Sequence, residues 1–123
     1  MKNQAYRMAM LFDFYGDLLT ERQREFYDLY YNEDLSLAEI AENYGISRQG
    51  VRDVIVRAEA AMTEIEDKTH IIRRFQQSKA PIAAINDAAD RLLQSIDRRS
   101  YSDTMLDEIA RTIKENVAKL EQE

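Results

Sequence analysis

Apolar residues recur at spacings of three and four along most of this chain, beginning with Met8, Leu11, Phe12, Tyr15, Leu18 and Leu19. That period describes one face of a helix and predicts a first helix over residues 5–19. Thr20 then opens a second helix, because Gln23 stands three residues on as its capping-box partner. Phe26, Leu29 and Tyr30 form the apolar side of this helix, and the polar run Asn32-Glu33-Asp34 predicts a connection. Ser36 and Glu39 repeat the capping-box spacing and start a short third helix through about Asn43.

Gly45 supplies the positive φ that a sharp helix-to-helix turn requires, and Ser47 is placed to cap the next helix. From Arg48 the helical pattern meets no strong breaker before Pro81. Beyond it, Ile82, Ile85, Ala89, Leu92 and Ile96 make a short heptad-like stripe. The run Asp97-Arg98-Arg99-Ser100-Tyr101 interrupts that stripe. Ser102 then caps a last helix with Leu106, Ile109, Ile113, Val117 and Leu120 on one face. The expected fold class is all-α, with a helix-turn-helix domain over 1–62 and a helical extension over 63–123.

Composition narrows the class further. Three glycines and one proline leave little material for the turns of a sheet protein. The 45% hydrophobic and 33% charged fractions fit a folded, helix-rich chain and not a disordered one. No apolar run approaches the ~18 residues of a membrane span. The first residues, MKNQAYRMAMLFDFY, lack the layout of a signal peptide. Cysteine is absent, which removes disulfides and thiolate metal sites. A cytoplasmic protein without membrane insertion is expected.

The chemistry concentrates in EIAENYGISRQGVRDVIVRA, residues 39–58. A helix-turn-helix needs a small residue where its helices cross, a tolerant turn residue, and apolar residues that lock the crossing angle. Ala41 and Gly45 fill the first two roles. Leu37, Ile40, Tyr44, Ile46, Val51 and Val54 fill the third. With Val51 and Val54 inward, Ser47, Arg48, Gln49, Arg52, Asp53, Val56 and Arg57 form the candidate DNA-binding set. Arginine can read guanine bidentately and glutamine adenine, while Asp53 stands ready to orient Arg52 or Arg57. The bland alternative is a solvated helix surface on which Glu59 and Asp53 balance the arginines.

Charge weighs against strong non-specific DNA binding. The net charge is −6, and residues 35–62 carry three basic and four acidic groups. Phosphate neutralisation usually supplies most non-specific affinity, so a local patch, a dimer or a partner is required.

Residues 19–62, with Leu19-Thr20, Arg22, Arg24, Leu37-Ala38-Glu39-Ile40-Ala41, Gly45-Ile46-Ser47-Arg48-Gln49, Val51 and Arg57-Ala58-Glu59, resemble the promoter-reading region 4 of bacterial sigma factors. They resemble more closely the YlxM-like family of small bacterial helix-turn-helix proteins, whose length and helical tail also match. Gly50 departs from the alanine or threonine common there in sigma-like motifs. Genes of that family typically neighbour the gene of the signal recognition particle GTPase, so the resemblance implies a link to protein targeting.

Other chemistries lack their residues. His70 is the single histidine, and with no cysteine beside it no metal site is expected. Gly16, Gly45 and Gly50 are isolated, so no phosphate loop, cofactor or enzyme is expected. Tyr6, Tyr15, Tyr27, Tyr30 and Tyr44 fall where core packing needs bulk.

Three readings remain open at this point. The first is a double-stranded-DNA-binding regulator acting as a homodimer. The second is an accessory factor that contacts the signal recognition particle, through its GTPase or its RNA, without sequence-specific DNA binding. The third is a helical adaptor whose motif only packs. For the carboxy-terminal half, a homodimer seam and a small bundle within one chain are both compatible with the apolar lines. Met62, Ile65, Ile72 and Phe75 are expected to add a third such line.

Overall fold

The structure, a computed structural model, describes residues 5–122; Lys2 and Glu123, counted in the charge above, lie outside the described residues. Six α-helices follow one another: α1 Ala5–Tyr15, α2 Glu21–Tyr31, α3 Leu37–Tyr44, α4 Arg48–Thr69, α5 Ile71–Asp97 and α6 Asp103–Glu121. No strand occurs among the described residues, and the all-α class holds.

The local capping chemistry forms as its spacing predicts. Gln23 N–H donates to Thr20 Oγ1 at 3.2 Å, and Thr20 N–H donates to Gln23 Oε1 at 3.0 Å. Ser36 and Glu39 make the same reciprocal pair at 3.1 and 3.2 Å. Gly45 ends α3 with φ +67°, and its N–H and that of Ile46 both reach the Ala41 carbonyl. A side chain there would meet open space but a strained backbone. The turn is set by conformation and not by crowding.

The chain divides into two compact units, one reaching Ile72 and the other starting at Arg73. In the first unit, α1, α2 and α3 all pack on α4. Leu11, Phe26, Tyr27, Ile40, Val51, Ile55, Ala58 and Met62 are buried at its centre, and Ile72 joins the same core. Full burial of the larger aliphatic and phenylalanine side chains among them stabilises by about 1.5–3 kcal/mol each. Phe12 stacks on Tyr27 with centroids 5.1 Å apart, and Tyr27 donates to the Met8 carbonyl at 2.6 Å. That bond satisfies the one polar atom this large ring brings into the core.

Four expectations are corrected here. The first helix ends at Tyr15, and a 3-10 turn over Gly16–Leu18 rotates Leu18 outward to 69% exposure. Tyr6 is also exposed, at 76%, and takes no part in the core. The long helix from Arg48 breaks at His70, which adopts a left-handed conformation with φ 55°. Pro81, expected as the breaker, lies inside α5.

The break at His70 has a tertiary cause. Glu66 accepts from the Tyr15 hydroxyl and from Ile72 N–H (2.9 Å), while Thr69 Oγ1 accepts from Ile71 N–H at 3.4 Å. Side chains of α4 thereby satisfy early amides of α5 that a helix start leaves without carbonyl partners. Ile72, now turned into the core, is 7% exposed. Met62, Ile65 and Ile72 therefore pack in the first unit and do not extend the carboxy-terminal stripe.

The second unit is an antiparallel pair. Ser95 Oγ meets Met105 Sδ at 3.4 Å, and Arg91 pairs with Glu108 at 3.7 Å. Ser102 caps α6 by accepting from Met105 N–H at 3.2 Å. Its buried residues are Pro81, Ala88 and Ser95 on α5 with Ile109 and Asn116 on α6. Most of the apolar stripe read from the sequence lies to one side of that seam, with Ile82 and Ile96 each 54% exposed.

Candidate nucleic-acid interface

Four residues turn inward at intervals of three and four along α4: Val51, Ile55, Ala58 and Met62, none with measurable exposure. They fix the rotation of the helix about its axis. Ile46 and Val54 pack against the same core from the turn and the first half of α4. Ala41, 6% exposed, provides the close α3–α4 crossing. Ser47 Oγ caps α4 by accepting from Gly50 N–H at 2.9 Å. A Cβ on Gly50 would stand 3.2 Å from that hydroxyl, so the glycine keeps room for the cap.

With the helix so fixed, the candidate residues fall into two neighbouring rows one turn apart, Arg48–Arg52–Val56 and Gln49–Asp53–Arg57. All are exposed except Val56, which is half-buried, and Ser47 stands exposed at the head of both rows. Among the described residues Arg48, Arg52 and Arg57 form no salt bridge. The basic residues of α2 are differently engaged: Arg24 pairs with Asp17 at 3.2 Å, and Arg22 lies over the Phe26 ring.

Asp53 behaves otherwise than expected. It accepts from Gln49 Nε2 at 2.9 Å and orients neither Arg52 nor Arg57. Glu59 accepts from the Tyr31 hydroxyl and forms no salt bridge with the arginines among the described residues.

Three such tyrosine–carboxylate bonds hold the motif, and the sequence reading missed all three. Tyr15 on α1 reaches Glu66 on α4, Tyr31 on α2 reaches Glu59 on α4, and Tyr44 on α3 reaches Glu25 on α2. Tyr44 also sets its ring edge-on to Phe26 at 4.8 Å. Burial, then the bond to Glu66, raises the Tyr15 hydroxyl above its ordinary value. Burial, reinforced by Glu59, pushes Tyr27 and Tyr31 up as well. For Tyr44 the bond to Glu25 is the leading cause of the rise. Each hydroxyl acts as a donor.

No group of three or more acidic or histidine side chains placed for a metal ion occurs among the described residues. His70 is exposed at the α4–α5 break. No helix among the described residues is long and apolar enough to cross a membrane.

The family profile of UPF0122, described as "Putative helix-turn-helix protein, YlxM / p13 like", matches residues 2–102. This chain belongs to the UPF0122 family. A UPF0122 protein of Desulforamulus reducens is 49% identical over 82 residues, covering 66% of this chain and 70% of its own length. One from Halalkalibacterium halodurans is 41% identical over 106 residues, 79% of this chain and 97% of its own. A third, from Symbiobacterium thermophilum, is 47% identical over 96 residues, 78% of this chain and 90% of its own. The description of the family is that of a helix-turn-helix protein.

Proposed function

We propose that this UPF0122 protein is a DNA-binding regulatory protein that places the first turns of α4 in the major groove. One observation carries the reading. Arg48 and Arg52 stand exposed and without ion-pair partners at the start of a helix whose rotation is fixed by a complete apolar lock. In other helix-turn-helix proteins this position meets base edges.

The two rows divide the labour. Arg48 and Arg52 reach guanine edges, and Val56 offers an apolar contact to a thymine methyl. Gln49 reads adenine when it leaves Asp53, and Arg57 reaches a phosphate. Ser47 and the first amides of α4 form a helix start that suits a phosphate oxygen. A single motif in an acidic chain makes few phosphate contacts, so strong specific binding calls for two half-sites and two copies.

The net charge of −6 weighs against phosphate contacts of any kind and so favours the protein arm of a second reading. In it the same surface contacts the signal recognition particle, through its GTPase or its RNA, and reads no DNA sequence. A mobility-shift assay on genomic fragments at low salt separates the two. The first reading expects shifted fragments, lost on Arg48→Ala with Arg52→Ala. Absence of any shift, with nuclease-resistant capture of the GTPase from extract, would replace it with the second.

A further inference from the structure

Between the first half of α5 and the end of α6, the carboxy-terminal hairpin holds a cleft of about 640 Å³. Small side chains make the space: Ala80, Pro81 and Ala84 form the α5 wall, and Asn116 of α6 lines the cleft with them. The size lies within the range of small-ligand sites.

Asn116 is 8% exposed, and its Nδ2 donates to the Thr112 carbonyl at 2.8 Å. A carbonyl only accepts, so this bond fixes which end of the carboxamide is nitrogen. Oδ1 then has no donor among the described residues. No side-chain polar atom among them is closed off without a partner, so this oxygen keeps an opening, and Asn116 opens on the cleft. An acceptor so placed calls for a donor from outside the protein. Pro81 adds a second acceptor. It has no N–H to give the Gln77 carbonyl one turn back inside α5, and both residues line the cleft.

Charge calls for an anion beside those donors. Lys119, one turn beyond Asn116 on the same side of α6, lines the cleft and forms no salt bridge among the described residues. Arg74 and Lys119 border a smaller recess that shares Gln77 and Gln122 with the cleft. Among the described residues no acidic side chain lines either space, in a chain whose net charge is −6. The carboxamides of Gln77, Asn116 and Gln122 can each give and accept a hydrogen bond, as a peptide group does. No aromatic ring among the described residues lines the cleft to stack on a base. The combination favours a peptide carboxylate over a nucleotide.

We propose that this cleft captures the carboxy-terminal end of an extended peptide chain. Its carboxylate meets Lys119, and the N–H of its last peptide group donates to Asn116 Oδ1. Its final side chain, small and apolar, rests on Ala80, Pro81 and Ala84. Capture of a terminal carboxylate is a recurrent form of peptide recognition. The inference stands independently of what α4 binds.

The test exposes the full chain to an array of hexapeptides tethered by their amino ends, each made with a free and with an amidated carboxy terminus. Binding is expected to members with a free carboxylate and a small apolar last residue, and about tenfold weaker binding to their amidated twins. Lys119→Ala is expected to weaken binding by about tenfold or more. Lys114→Ala, an equal change of charge at an exposed position outside the cleft, is expected to leave it unchanged. Asn116→Leu, similar in size and a better helix former, is expected to keep the helical circular dichroism and weaken binding several-fold. No binding to any free carboxylate would overturn the proposal, as would equal binding of the amidated twins or equal losses at Lys119 and Lys114. Tighter binding of adenosine monophosphate than of every peptide would overturn it too, and hand the cleft to a nucleotide.

Discussion

Gln49 donates from Nε2 to Asp53 Oδ1 at 2.9 Å, one turn along the exposed side of α4. The residue best suited to read adenine is thus held, in the free protein, by a carboxylate that phosphates would repel. Exchanging Asp53 for asparagine keeps an oxygen acceptor for Gln49 and removes the negative charge. Duplex binding at low salt is expected to tighten about two- to fivefold, and the gain should shrink as salt rises. A fluorescence-anisotropy titration of wild type and Asp53→Asn checks this; equal or weaker binding by the variant contradicts it.

Glu66 joins two helices and the end of a third. It accepts from Tyr15 on α1 and from Ile72 N–H in the first turn of α5. Glu66→Ala leaves both donors without this acceptor and is expected to cost about 1–3 kcal/mol. A urea titration followed by circular dichroism reads the loss directly. An unchanged midpoint would remove Glu66 as the cause of the break at His70.

The raised tyrosines set an alkaline limit. Tyr15, Tyr27 and Tyr31 hold their protons in the folded chain beyond the ordinary value of 10.0. The unfolded chain ionises first, so above that pH it binds fewer protons than the native state. Stability therefore falls as pH rises through about 10 and continues to fall until the folded groups ionise. Urea midpoints measured from about pH 8 to pH 11 are expected to be flat and then to decline. The decline should be shallower in Tyr31→Phe, where one ionisation is removed.

Ala41→Leu tests the α3–α4 crossing. Ala41 is 6% exposed, in a core whose centre is fully buried. Three added heavy atoms are expected to cost about 1–3 kcal/mol through overpacking. A thermal melt showing no loss would mean that the helices do not cross closely at this residue.

What the sequence disclosed was local chemistry. The cap pairs Thr20–Gln23 and Ser36–Glu39, the left-handed Gly45 and the Ser47 and Ser102 caps each involve residues at most four apart. The outward rows of α4 were legible for the same reason, since Val51 and Val54 fix which residues remain outside. The break at His70 was not, because it depends on Tyr15 meeting Glu66 across 51 positions. Nothing near His70 is glycine or proline, and Pro81, which looks like a stop, is carried inside α5. The Tyr31–Glu59 and Tyr44–Glu25 bonds were hidden likewise, since sequence spacing says nothing of contacts between helices. Gln49–Asp53 was within reach as an i, i+4 pair, but charge directed attention to the arginines instead.

Selection from a random duplex pool tests most directly the proposal that α4 reads a DNA sequence. Full-length protein at low salt is expected to enrich one sequence motif over successive rounds. Arg48→Ala and Arg52→Ala should each lower affinity for the selected duplex by about five- to a hundredfold, as expected from ~1–3 kcal/mol per base contact. Neither should change the melting temperature, because both side chains are exposed. A pool that yields no motif, or variants that bind the selected duplex as the wild type does, would contradict the account.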